Sequence, residues 1–240
     1  MSDKLRLGLF ISGGGTTAEY IIKACKSGRL KGIEPACVIG NRRDCPGFEK
    51  ARSHKLPTFF TERLKSTTDD QFADYILDGC SRFRVDIIGQ YGWLPKTPMR
   101  VIEVYAGKMI NQHPGPLDPP HLDFGGTGMY GRRVHAARLH FVRATERDFW
   151  TEATAQFVAP NYDEGGVICT KQVEIRPDDD TCSLQKRVLP EEHEVQVTAL
   201  ELFVTGKAQP LTRSERLIRP GEEQLLNLAK QNAAQLFPHG

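Results

Sequence analysis

The stretch Leu5-Arg6-Leu7-Gly8-Leu9-Phe10-Ile11, followed at once by Ser12-Gly13-Gly14-Gly15-Thr16-Thr17, decides how the chain is read. Its first part is a nearly continuous apolar strand, suited to a sheet covered on both faces. Its second part is a Gly-rich turn, and a helical stretch follows from about Ala18 to Lys26. The same alternation repeats downstream. Strands are expected at Pro35 to Gly40, Val85 to Gln90 and Lys108 to Asn111, and helices at Pro46 to Ser53, Thr67 to Phe83 and Met99 to Tyr105. Thr67 or Thr68 would cap the third helix, ahead of acids in its first turn. Strands and helices alternating at this spacing predict an α/β fold with a doubly wound, mostly parallel sheet.

Past Asn111 the composition changes. Residues 114–128 hold four prolines and four glycines, which predicts a loop long enough to carry function and to order over a ligand. A helix from Met129 to Val142 follows, then strands at Glu152 to Pro160 and Val167 to Ile175, and a long helix after Asp178 to about Val204. The last 35 residues read as a polar strand-like piece and an amphipathic helix near Glu222 to Leu236.

The 240 residues carry 32 Lys and Arg against 30 Asp and Glu, so no bulk charge grips nucleic acid or an anionic membrane. No apolar run approaches the ~20 residues of a membrane helix. The expectation is a soluble cytoplasmic protein whose partners are small molecules, as a monomer or homodimer. Six cysteines without a Cys-x-x-Cys pair read as reduced thiols, and the seven histidines offer no metal-ligand spacing.

Three stretches can carry chemistry. In Ser12 to Thr17 the glycines let backbone N–H groups converge on an anion, the helix N-terminus adds its dipole, and Thr16 and Thr17 add hydroxyls. Phosphate fits best. The spacing Gly13-x-Gly15-x-x-Ala18 also satisfies a weak dinucleotide fingerprint. With Arg42 and Arg43 after the second strand, it keeps an NADP-dependent oxidoreductase as a rival.

Asn111-Gln112-His113-Pro114 ends a buried strand. If strand geometry persists, Asn111 and His113 project to one side. An amide donor beside an imidazole suits acyl or formyl transfer, one polarising the carbonyl oxygen and the other moving protons. Asp163, in Asn161-Tyr162-Asp163-Glu164-Gly165-Gly166, reads either as a turn residue or as the carboxylate that orients the imidazole and favours its charged form.

The order Ser-Gly-x-Gly-Thr-Thr, Asn-x-His-Pro, Tyr-Asp-Glu-Gly-Gly and Glu191-Glu192-His193 resembles the formyltransferase family over about residues 5–205. Within that family it is most similar to the enzymes that formylate glycinamide ribonucleotide. The resemblance implies a Rossmann-like catalytic domain over 1–205 with a strand/helix extension at 206–240. It implies 10-formyltetrahydrofolate as co-substrate and a phosphorylated amine as acceptor. Asn111, His113 and Asp163 match the catalytic trio. Gly14, Gly15, Thr16 and Thr17 match the phosphate loop, and Glu192 the acid on the nucleotide's sugar. Trp93, Leu94 and Met109 match the pterin-packing segments, and Ala159, Pro160, Asn161 and Tyr162 the loop that reads the pterin by its backbone.

The chain departs from the family at His113-Pro-Gly-Pro-Leu-Asp-Pro119, at Pro95 for a usual Arg and at Gln156 for a usual His. The insert around Phe141 to Trp150 also reads as long. The implied reaction is formyl transfer to glycinamide ribonucleotide in purine synthesis. N-formylation of an amino sugar nucleotide is the nearest alternative, and a non-catalytic folate- or nucleotide-binding protein a remote one.

Overall fold

The computed structural model describes residues 4–240. They divide into two compact units. The first comprises the chain up to Gln112 together with Gln196–Ala208, and the second His113–Val195 together with Gln209–Gly240.

The first unit is built on parallel strands. β1 (Leu5–Ile11) pairs on one side with β2 (Ile33–Gly40), which pairs with β3 (Thr58–Phe60), and on the other side with β4 (Ile87–Gln90). β5 (Met109–His113) continues beyond β4, with Gln90 opposite Asn111. Leu9, Phe10 and Ile11 are consecutive and all 0% exposed. Successive strand side chains point to opposite faces, so both faces of this sheet are covered. The short β3 escaped the sequence reading because Thr58-Phe59-Phe60 is too brief to show a period.

Four helices separate these strands: α1 (Thr16–Lys26), α2 (Pro46–Ser53), α3 (Asp69–Arg82) and α4 (Met99–Val104). Pro46 opens α2 where a helix has no N–H to lose. Thr68 closes a capping box on α3: its hydroxyl accepts from the Gln71 N–H, and the Gln71 side chain accepts from the Thr68 N–H. The strand order reverses at β1, between β2 and β4. That reversal opens a crevice at the carboxyl ends of the strands, the usual place for a ligand in such sheets.

The second unit combines α5 (Arg132–Thr145), an antiparallel pair β6 (Trp150–Phe157) and β7 (Val167–Glu174), the start of α6 (Thr181–Val204), and α7 (Glu223–Leu236). Asp180 caps α6 by accepting from the Ser183 N–H at 2.7 Å. Helix α7 presents Leu226, Ala229 and Ala233 to a buried cluster with Phe124, Val134, Ala137 and Phe141. This spacing of three, four and seven is a single helical stripe. The piece expected as a strand after Gly206 is irregular. It touches β7 once, where the Leu211 N–H donates to the Val167 carbonyl at 2.7 Å, and Arg213 reaches the buried carboxylate of Glu152 with two nitrogens and donates to the Leu117 carbonyl at 2.7 Å.

Candidate active site

In the first unit the crevice is lined by the turn after β1 and the segment after β4. The Ser12 N–H donates to the Gly92 carbonyl at 3.0 Å, and the Ser12 hydroxyl accepts from the Leu94 N–H at 2.9 Å. Gly13 is tied by its carbonyl to the Gly47 N–H and the Cys45 thiol. Gly15 sits at φ +61 as the N-cap of α1, and a Cβ there would lie 3.0 Å from the Gly47 backbone. Only glycine meets both demands without strain. Gly14 and Thr16 are exposed and Thr17 is buried at the mouth of an 11-residue helix. The turn thus sits at the N-terminus of α1, the end of a helix that favours an anion.

Trp93 is buried between Phe10 (ring centroids 5.1 Å, edge-on) and Phe72 (6.2 Å, stacked), whereas Leu94 next to it is 45% exposed. Met109 is buried opposite Ile88. Arg42 is paired with Asp44, while Arg43 lies over the Phe60 ring and 3.9 Å from Glu62. Both arginines thus have surface partners of their own, which weakens the case for a 2′-phosphate site.

β5 runs through Asn111 to His113, so the strand persists where the two side chains need it to project together. His113 belongs to the second unit and is buried. Its Nδ1 lies 3.5 Å from Asp163 Oδ1, and the ring hydrogen-bonds to the Phe124 backbone. Nε2 is buried without a partner. Nδ1 is therefore the donor, and the lone pair at Nε2 is left to take up a proton.

Burial is the largest influence on the ring and pushes its pKa below the ordinary 6.5. Asp163 and the Phe124 contact pull it up, and Lys230 pushes it further down. Burial prevails, so the net shift is downward. The sequence pointed to an imidazolium supported by a carboxylate. The structure sets the carboxylate beside the ring, and burial opposes the charged form that the carboxylate favours.

Asp163 stands at φ +60, a left-handed turn conformation that Asp tolerates better than most residues. The turn role and the site role coexist. Oδ1 accepts from Gln156 Nε2 at 2.7 Å, and Oδ2 from the Gly126 N–H at 2.9 Å. Opposite Gln156 the β6–β7 ladder slips: Ala155 faces Cys169 and Gln156 faces Val167, so Ile168 is passed over. Such a bulge re-aims a side chain beside a site.

The 114–128 segment is packed, with Leu117 and Phe124 fully buried. Thr154 donates to the Gly115 carbonyl, and Lys230 Nζ donates to the carbonyls of Asp123 and Gly125 at 2.9 and 2.8 Å. These contacts tie the segment to β6 and α7. Glu192 is buried within α6. Half-buried Ala159 and exposed Pro160, Asn161 and Tyr162 lead into the Asp163 turn, where Asn161 donates to Glu164 at 2.9 Å.

Sequence reasoning registered Gln156 only as a departure from the family pattern, and it missed Gly126, His135 and Lys230. His135 on α5 is buried with Nδ1 unpartnered, and burial drives its pKa to about 4. A glutamine on a strand, a loop glycine and a lysine on a terminal helix carry no spacing signal that ties them to Asp163.

Residues 5–200 match the family model for formyl transferases. The chain is 30% identical over 193 residues to the chloroplastic phosphoribosylglycinamide formyltransferase of Arabidopsis thaliana, covering 80% of this chain and 63% of that protein. It thus spans less than two thirds of that relative's length. To phosphoribosylglycinamide formyltransferase of Haemophilus influenzae it is 26% identical over 202 residues, covering 84% and 88%. The crystal structure of glycinamide ribonucleotide transformylase 1 from Symbiobacterium toebii has the same fold, with a TM-score of 0.74 at 24% identity over 86% of this chain and 90% of that one.

Proposed function

The chain belongs to the formyl transferase family, and from that premise we propose that it transfers a formyl group from 10-formyltetrahydrofolate to the amine of glycinamide ribonucleotide. The observation that carries this reading is the buried, unpartnered Nε2 of His113, backed at Nδ1 by Asp163 and two residues along one strand from Asn111. In this reading residues 1–205 are the catalytic domain and 206–240 extend it.

The folate supplies an activated formyl carbonyl. The Asn111 amide donates to its oxygen as negative charge develops there, a contribution that oxyanion donors make at roughly 10²–10³ in rate each. His113 Nε2, neutral at rest, accepts the proton of the attacking amine and then holds an imidazolium. Asp163, fixed by Gln156 and Gly126, stabilises that charge at Nδ1. The same proton then passes from Nε2 to the departing folate nitrogen. In the first unit Gly14, Gly15, Thr16 and Thr17 take the acceptor's phosphate, and Trp93, Leu94 and Met109 the pterin. In the second, Glu192 takes the sugar and the backbone of Ala159 to Tyr162 the pterin edge.

The test mixes the protein with 10-formyltetrahydrofolate and glycinamide ribonucleotide and follows the folate absorbance. Formylation of the ribonucleotide is expected. No conversion of it, together with conversion of an amino sugar nucleotide, overturns the acceptor assignment.

A further inference from the structure

Helix α7 lies more than a hundred residues along the chain from His113, yet one of its side chains enters the same constellation. Lys230 Nζ sits between the carbonyl oxygens of Asp123 and Gly125, at 2.9 and 2.8 Å. Phe124, between those two residues, is buried in the cluster that α7 forms with α5. The next peptide N–H, that of Gly126, is the one that holds Asp163 Oδ2. Gly125 lies so close that a Cβ on it would stand 2.7 Å from the Asp163 Cβ. From the first turn of α5, Arg133 donates to the carbonyls of Gly128, Phe237 and Pro238, so the loop and the segment after α7 are tied at a second point.

We propose that Lys230 is a positioning residue for formyl transfer: by clamping the carbonyls of Asp123 and Gly125, it sets the Gly126 N–H that fixes the Asp163 carboxylate against His113. The proposal rests on the reading of His113 and Asp163 as the reacting pair. It gives the C-terminal extension a part in the chemistry beyond filling the core. The ammonium also contributes charge. The titratable groups facing His113 are Asp163 from the β6–β7 turn, Lys230 from α7 and His135 from α5, while Asp123 faces Lys230. Lys230 opposes a proton on His113, and Asp163 favours one. The lysine thus both fixes the carboxylate and tempers its effect on the imidazole, which keeps the ring a base until the amine delivers its proton.

Three full-length variants test this: Lys230→Met, Lys230→Gln and Lys230→Arg. Met removes both the donors and the charge. Its kcat is expected to fall roughly ten- to a hundredfold, the scale of a small misplacement of reacting groups, with the KM for the amine little changed. The Gly126 amide should exchange faster, and the His113 pKa, followed by NMR, should rise. Gln keeps a donor without the charge, so its Gly126 exchange should stay near the parent while the His113 pKa still rises; it decides the matter even if the Met variant does not fold. Arg keeps donors and charge and should restore the parent titration.

His113 titration and Gly126 exchange identical to the parent in both neutral variants overturn the proposal, whatever the turnover. Those two readouts need no turnover. A parent that formylates nothing therefore sinks the functional reading alone, while they still judge the role of Lys230.

Discussion

Nδ1 of His113 faces Oδ1 of Asp163 across 3.5 Å, with both side chains almost wholly withdrawn from water. The carboxylate raises the proton affinity of the ring and burial lowers it, and burial is the larger of the two. The pair thus sets a carboxylate that favours the imidazolium against a burial that opposes it.

Replacing Asp163 with Asn keeps the shape and removes the charge. The His113 pKa should fall further below its ordinary value, because the one nearby charge that favours the imidazolium is gone. Turnover should drop by about 10²–10⁴, the usual worth of positioned proton transfer. NMR titration of His113 with steady-state kinetics checks both; an unmoved ring with near-parent turnover would return Asp163 to a turn residue.

Gly125→Ala adds one methyl group where Asp163 already stands. The new Cβ would meet the Asp163 Cβ and the Leu117 Cδ2, each at 2.7 Å. The carboxylate must shift, so kcat should fall at least tenfold, on the scale of a misplaced catalytic group. Circular dichroism should show the fold retained. Parent-like kcat would mean that the loop yields without moving Asp163.

At the anion loop, Thr16→Val with Thr17→Val removes two hydroxyls and keeps the backbone turn. The acceptor's affinity should weaken about tenfold or more, since a hydrogen bond to a charged group is worth roughly 1.5–3 kcal/mol. Folate affinity should hold. Calorimetric titration with each ligand separates the two, and equal weakening would remove the phosphate assignment.

His135 makes stability depend on pH. Its folded pKa is about 4 against an ordinary 6.5. Below pH 6.5 the unfolded chain binds a proton that the folded ring refuses, so stability present above 6.5 is lost as pH falls toward 4. The loss is roughly 3 kcal/mol at full extent. Asp123, raised to about 6 by burial and by Asp118, acts in the opposite sense below that pH. Urea unfolding at pH 7 and pH 4 should show a shallower acid loss for His135→Leu than for the parent; parallel losses would rule out this titration.

Much of the scaffold was legible because its signals are local. Leu5–Ile11 and Pro46–Ser53 have the limits expected from apolar runs, caps and prolines, and the Thr68–Gln71 capping box follows from four adjacent residues. The side-chain period of a strand similarly placed Asn111 and His113 together as soon as β5 was known to reach His113.

What the sequence determined by itself, then, was the α/β alternation, the Gly-rich turn after β1, and the residue types that formyl chemistry requires. Only the tertiary structure decided the direction in which the His113 pKa moves, because desolvation depends on how the whole unit packs around the ring. Only the tertiary structure, too, divided the Asp163 oxygens between Gln156 and Gly126 and brought Lys230 to the Asp123 and Gly125 carbonyls. Those contacts join residues up to 107 positions apart. No local periodicity encodes them, since they exist only after α7 has buried Leu226, Ala229 and Ala233 against the cluster around α5.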